Sequence, residues 1–253
     1  MSTPASSLDR LQNGPILSTL LRLSVPNVLA MVMTVAVGIA ETYYVGHLGT
    51  TPLAAMALVF PFAMLSGMLS AGAMGGGVSS AISRALGATD THRAQQLALH
   101  AILIGTVAGV LYSTLLLVLG PWVYQLLGGQ GEVLGAAVGY AQVLFSGALL
   151  VWLSNTLASI LRGTGNMRVP SLGIFGTAIL QILLGGLLGL GAGPVPSLGM
   201  PGIAIGHIIA TAAGVAYFAW FLRSPGSRLH LQLPGFRLHR EMLHDILKVG
   251  ALA

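Results

Sequence analysis

Residues Val25–Val45, VPNVLAMVMTVAVGIAETYYV, form an apolar run that is long enough to cross a bilayer as one helix. The run contains one ionisable acid, Glu41, which is the only acidic side chain inside any such run of this sequence. A carboxylate at that depth is costly unless it is neutralised, paired or wetted, so we expect Glu41 to bind an ion or a proton. The alternative interpretation is a permanently protonated acid that makes a structural hydrogen bond.

The composition of the whole chain is that of a membrane protein. Hydrophobic residues make up 55% of the sequence, charged residues only 7%, and the mean hydropathy is +0.85. Such values exclude a soluble domain of this length. The sequence contains no cysteine, which excludes disulfides and Cys-ligated zinc or iron–sulfur sites.

Six segments reach the roughly 20 apolar residues that a membrane-spanning helix needs. They are longer than the strands of a membrane barrel and lack the alternation of such strands. The sequence therefore predicts an all-α polytopic membrane protein, a bundle of six transmembrane helices. The predicted spans are Val25–Val45, Leu53–Ala81, Leu97–Leu119, Val133–Leu161, Val169–Leu190 and Met200–Leu222.

All 11 basic residues lie on one side of this six-span map. Arg10 and Arg22 precede span one, and the others follow spans two, four and six. Because Lys and Arg accumulate in cytoplasmic loops, we expect a cytoplasmic amino terminus in a cell inner (plasma) membrane. The partner that this charge distribution implies is the lipid bilayer, and we expect no nucleic-acid partner.

Polar side chains are rare inside the spans, and several share a face. Asn27, Thr34 and Glu41 recur every seven residues, which places them on one side of span one. Such a stripe faces protein or water, either along a transport path or as interhelical hydrogen bonds that hold the bundle together. The other candidates for an ion or proton site are Tyr140 and Asn155 on span four, Gln181 on span five and His207 on span six.

No motif of an enzyme is present. The sequence lacks a GxSxG nucleophile elbow, an HExxH zinc helix and a Walker loop, so we predict neither an enzyme nor a metal or cofactor site. His239, Glu241 and His244 cluster after span six. We interpret them as part of a solvated cytoplasmic linker.

The end of the chain resembles its beginning. Met242–Leu252, MLHDILKVGAL, repeats the pattern of Ile16–Pro26, ILSTLLRLSVP, in which an amphipathic approach leads to small residues that open a span. Transporters are commonly built from two related bundles with the substrate path between them. We therefore predict a cytoplasmic tail and approach (1–24), a six-helix amino-terminal lobe (25–222), and a linker with the start of a seventh helix (223–253). A carboxy-terminal six-helix lobe is expected to follow.

Five motifs, in order along the chain, resemble the multidrug and toxic compound extrusion (MATE) transporters. They are LLRLSVPNVLA (20–30), GIAETYYVGHLGTTPLAAMAL (38–58), SRALGATD (83–90), LRGTGNMRVP (161–170) and GMPGIAIG (199–206). The resemblance implies two six-helix bundles that export small organic, often cationic, compounds against an inward flow of protons or sodium. It also implies that Glu41 replaces an aspartate implicated in cation binding, and that Tyr140 and Asn155 match polar positions of the same network.

The sequence also departs from that family. Gln181 and Gly185 stand where many prokaryotic members have an Asn and an Asp, and His207 stands where a Thr is frequent. Sodium prefers several hard oxygen ligands, whereas a carboxylate beside a titratable histidine suits a proton. We therefore expect a secondary active exporter, an antiporter coupled to protons rather than sodium. The alternatives are a lipid-linked saccharide flippase of related architecture and a nontransporting membrane assembly subunit.

Overall fold

The computed structural model describes residues 16–191, 194–229 and 238–250, and these residues are almost entirely helical. A π-helical segment, Met68–Met74, joins the helices Thr50–Gly67 and Gly75–Gly87 without a break in the helical turns. The helices in chain order are α1 (Ile16–Leu48), α2 (Thr50–Gly67), α3 (Gly75–Gly87), α4 (Thr91–Leu126), α5 (Gly131–Ser146), α6 (Ala148–Gly163), α7 (Arg168–Leu190), α8 (Gly199–Arg223) and α9 (Arg240–Gly250).

The predicted six-span architecture is confirmed. Within the described residues, five helical segments are long and apolar enough to cross a membrane, and the bent pair α5 and α6 makes a sixth if it is counted as one span. The second span is the whole stretch Thr50–Gly87, in which the π-helical segment lies. The fourth span is bent by 42° at the break between Ser146 and Ala148, a feature that hydropathy does not predict.

Small residues at four-residue spacing bring α7 and α8 into close contact. Residues four apart lie on one helix face, so these residues form a ridge along α7 and a second ridge along α8. A methyl group on Gly206 would lie only 2.7 Å from the backbone nitrogen of Gly185, and one on Gly202 would collide with the carbonyl oxygen of Leu188. The α7 ridge is Gly173, Thr177, Gln181, Gly185 and Gly189, and the α8 ridge is Gly202, Gly206, Ala210 and Gly214.

Two apolar clusters fill the rest of the bundle. One includes Ile82, Leu97 and Leu222, near the connections that carry the basic residues. The other includes Val59 and Ile203, near the opposite ends of the helices. The lobe is therefore packed at both ends.

Helix α9 docks on the lobe. Ile246 is fully buried in the first of these clusters, and Asp245 lies 2.7 Å from the guanidinium of Arg93 on α4. The backbone N–H of His239 donates to Nε2 of the buried His100, also on α4. The side chains of His239, Glu241 and His244 are exposed, as expected for a solvated stretch, but the apolar face of the same helix covers the lobe at Ile246.

Candidate functional site

Three of the predicted site residues, from three different helices, form one hydrogen-bonded group. Nε2 of Gln181 on α7 donates to Oε1 of Glu41 on α1 over 2.7 Å. The same nitrogen lies 2.6 Å from Nδ1 of His207 on α8. Sequence spacing could not indicate this meeting, since the residues are far apart in the chain.

The backbone contacts around Gln181 explain why the three side chains meet. Because Gly206 packs directly on Gly185, α8 approaches α7 closely enough for the neighbouring His207 to reach Gln181. On the other side, the hydroxyl of Tyr44 on α1 donates to the carbonyl oxygen of Ile182 over 3.2 Å. That bond holds α1 against α7 one helical turn after Glu41.

The geometry specifies which atoms carry hydrogen. A primary amide has two N–H groups, so the nitrogen of Gln181 can donate to both neighbours at once. Glu41 then accepts through its carboxylate oxygen, and His207 accepts through an unprotonated Nδ1. With the amide in this orientation, Nδ1 of His207 accepts from Gln181 when the imidazole is neutral and carries its hydrogen on Nε2.

Gln181, at the centre of this group, is buried, and Glu41 and His207 on either side of it are partly exposed. Only 7% of Gln181 is exposed, whereas Glu41 and His207 are half-buried. Tyr140 on α5 is buried. An accessible acid and an accessible base are thus joined through a buried amide.

Asn155 belongs to a separate polar cluster. Its Nδ2 donates to Oγ of Ser70 over 2.7 Å, and Ser70 in turn donates to the carbonyl oxygen of Ser66 over 2.6 Å. The indole nitrogen of Trp152 donates to Oγ of Ser66 over 3.0 Å. The structure thus ties Asn155 to the π-helical segment and shows no hydrogen bond from it to Glu41.

Of the two members of the predicted polar stripe of α1 whose side chains are described, one makes an interhelical hydrogen bond. Glu41 bonds to Gln181 on α7, but Thr34 is exposed and donates to the carbonyl oxygen of Ala30 in its own helix over 3.0 Å. The side chain of Asn27 lies outside the described residues. Thr34 therefore faces outward from this lobe.

Comparison with known proteins identifies the family. The MatE family model matches residues 26–187, well over half of the chain. The chain belongs to the MatE family. The resemblance seen in the sequence motifs is therefore confirmed.

Its relatives are about twice as long. The multidrug export protein MepA of Staphylococcus saprophyticus is 28% identical over 241 residues, which are 94% of this chain and 52% of MepA. An outward-facing multidrug resistance MATE family transporter superposes with a TM-score of 0.86 and 28% identity, over 98% of this chain and 54% of that one. An inward-facing multidrug resistance MATE family transporter superposes with a TM-score of 0.78 and 29% identity, over 85% of this chain and 48% of that one. The chain thus spans about half the length of the relatives it matches.

In this MatE lobe, sequence reasoning missed Tyr44, Ser66 and Ser70. Tyr44 carried a visible signal, since it follows Glu41 by one helical turn and therefore lies on the same face of α1. Ser66 and Ser70 are also one turn apart, in a stretch (53–78) whose other residues are all apolar or glycine. Among the described residues, no group of three or more His, Asp or Glu side chains is arranged to hold a metal ion.

Proposed function

We propose that this MatE chain is one lobe of a proton-coupled antiporter that exports small organic, often cationic, compounds across a bacterial inner membrane. The observation that carries the proposal is the group of Glu41, Gln181 and His207, in which a carboxylate and an imidazole are joined by a buried amide. Because the chain spans about half of its relatives, the complete transporter is this chain together with a second six-helix lobe.

The ligand chemistry of this group supports a proton over sodium. Gln181 presents its nitrogen, not its oxygen, to Glu41, and His207 offers a nitrogen. Sodium prefers a set of hard oxygen ligands, and the only oxygen in the hydrogen bonds of this group is Oε1 of Glu41. A proton needs one basic atom at a time, which either Glu41 or His207 provides.

Antiport follows if a proton and a cationic substrate compete for the charge of Glu41. The ionised carboxylate attracts an organic cation into the space between the two lobes. Protonation removes that charge and the attraction with it, so a proton that enters from outside favours release of the substrate there. A ligand shifts a conformational equilibrium only by binding one state better than the other, and the alternating charge of Glu41 provides that difference.

The orientation of the lobe is part of the proposal. The connections after α3, α6 and α8 carry the basic residues, so by the positive-inside rule they are cytoplasmic. Helix α9 lies at this end, because it packs on α3 and α4 near Arg93.

Reconstitution tests the proposed function. The complete transporter in proteoliposomes should accumulate the fluorescent cation ethidium against a gradient when a pH gradient is imposed, and a sodium gradient at equal pH should have no effect. The 253-residue chain alone should be inactive, because it provides one wall of the path. Accumulation driven by sodium and indifferent to pH would refute proton coupling.

A further inference from the structure

We infer that Gln181 links two proton sites, so that each transport cycle carries two protons, one on Glu41 and one on His207. The inference rests on the proposed proton coupling and goes beyond it, since coupling through Glu41 alone would need one proton. It comes from one geometric fact: a single amide nitrogen lies 2.7 Å from Oε1 of Glu41 and 2.6 Å from Nδ1 of His207.

The first proton can bind without any rearrangement. A carboxylate has two oxygens, and only Oε1 of Glu41 accepts from Gln181. A proton on Oε2 leaves Oε1 as a carbonyl oxygen, which still accepts the same hydrogen bond. The charge of the group changes from −1 to 0, and its geometry stays the same.

The second proton forces a rearrangement. The Nε2 atom of neutral His207 already carries hydrogen, so an added proton must bind at Nδ1. A protonated Nδ1 and the N–H of Gln181 would then be two donors 2.6 Å apart, with no acceptor between them. Rotation of the terminal amide of Gln181 by half a turn removes the conflict, because its oxygen then accepts from His207.

The rotated amide fixes the order in which the protons bind. It turns its oxygen toward Glu41 as well as toward His207, and two oxygens cannot pair unless one carries hydrogen. Glu41 must therefore already be protonated, and its carboxyl group must turn so that the protonated oxygen, Oε2, faces Gln181 and donates to it. The amide thus has two satisfied orientations: its nitrogen donates to both neighbours in one, and its oxygen accepts from both in the other.

The described part of the chain places no competing base at the group. Tyr140 is buried on α5, and the hydroxyl of Tyr44 on α1 donates to the carbonyl oxygen of Ile182. His100, which is fully buried on α4, contacts the backbones of Gln96 and His239 instead. Both protons therefore go to Glu41 and His207.

Two protons exchanged for one monovalent cation make a steeper gradient than one proton does. At zero membrane potential and a pH difference of one unit, transport stops when the ethidium ratio reaches about 100-fold for two protons or about 10-fold for one, since each pH unit is a tenfold ratio. We expect the complete transporter in proteoliposomes to reach about 100-fold. A wild-type limit of about 10-fold overturns the inference while leaving proton coupling intact.

Two variants assign the second proton. His207→Asn keeps an acceptor near Nδ1 but cannot be protonated, so it should still export, with a limit of about 10-fold. Gln181→Met preserves length without either hydrogen bond and should fall below the wild-type limit, whereas Gln142→Met, at an exposed position on α5, should retain it. If His207→Asn also reaches the wild-type limit, the second proton is not on His207 and the inference fails. Absence of any pH-driven gradient in the wild-type protein would refute the proposed function as well.

Discussion

Replacement of Gly206 by alanine should damage the site without touching any of its polar atoms. The new methyl group would lie 2.7 Å from the backbone nitrogen of Gly185 and 2.9 Å from the carbonyl carbon of Leu184. Both neighbours are main-chain atoms of α7, so no side chain can move aside. To restore ordinary contact the two helices must separate by roughly 0.7 Å, an overpacking that costs about 1–3 kcal/mol.

The same displacement acts on the site. It would lengthen the contact between Gln181 and His207 from 2.6 Å to about 3.3 Å, beyond the usual range of an N–H hydrogen bond, and a lost bond costs about 1 kcal/mol. The expected total is about 2–4 kcal/mol of lost stability. Thermal unfolding of the complete transporter measures this loss, and the limiting ethidium gradient measures the effect on coupling.

Gly176→Ala is the matched control. Gly176 lies on α7, and a methyl group there meets no atom within 4 Å, so its stability should change by no more than about 1 kcal/mol. If Gly206→Ala unfolds at the wild-type temperature and keeps the wild-type gradient, close approach of α7 and α8 does not position the site.

Two further predictions concern topology and the docking of α9. Gln130 and His92 are both exposed, one in the connection before α5 and the other in the first turn of α4. In this cysteine-free chain, an impermeant maleimide applied from outside should label Gln130→Cys but not His92→Cys. The reverse labelling pattern would contradict the proposed orientation of the lobe in the membrane. Ile246→Ala removes a fully buried side chain and should cost about 2–5 kcal/mol, seen as faster amide exchange in α9. Leu247→Ala, at a half-exposed neighbour, should leave that exchange nearly unchanged, and equal effects would contradict the docked position.

The fold was predictable from hydropathy because each membrane-spanning helix makes its backbone hydrogen bonds within itself. A membrane helix needs only length and apolar side chains, so all six spans could be located before their packing was known. The π-helical turn at Met68–Met74 could not be located, because neither it nor the bonds of Ser70 to Ser66 and Asn155 there leave a pattern in hydropathy. The break before Ala148 likewise leaves no mark in hydropathy.

The site residues were predictable as a set, but their pairing was not. An acid, an amide and a histidine inside apolar runs are conspicuous because each is costly there. Their contact depends on which helices are neighbours, and that is decided by the glycine ridges of α7 and α8. Those ridges were visible as four-residue repeats, and Gln181 stands in the middle of one of them. Asn155, by contrast, shares its span with Tyr140 but turns toward Ser70 instead.

The most direct test of the account is pH-driven export by Glu41→Gln in the complete transporter. Glutamine has the shape and charge of the protonated acid, and it can still accept the hydrogen bond of Gln181, so the variant should insert and fold normally. The account predicts no ethidium accumulation under a pH gradient, while Glu132→Gln, at an exposed position on α5, exports at the wild-type rate. Export by Glu41→Gln at the wild-type rate with an unchanged pH profile would contradict the account, because Glu41 would then be only a structural hydrogen-bonding group.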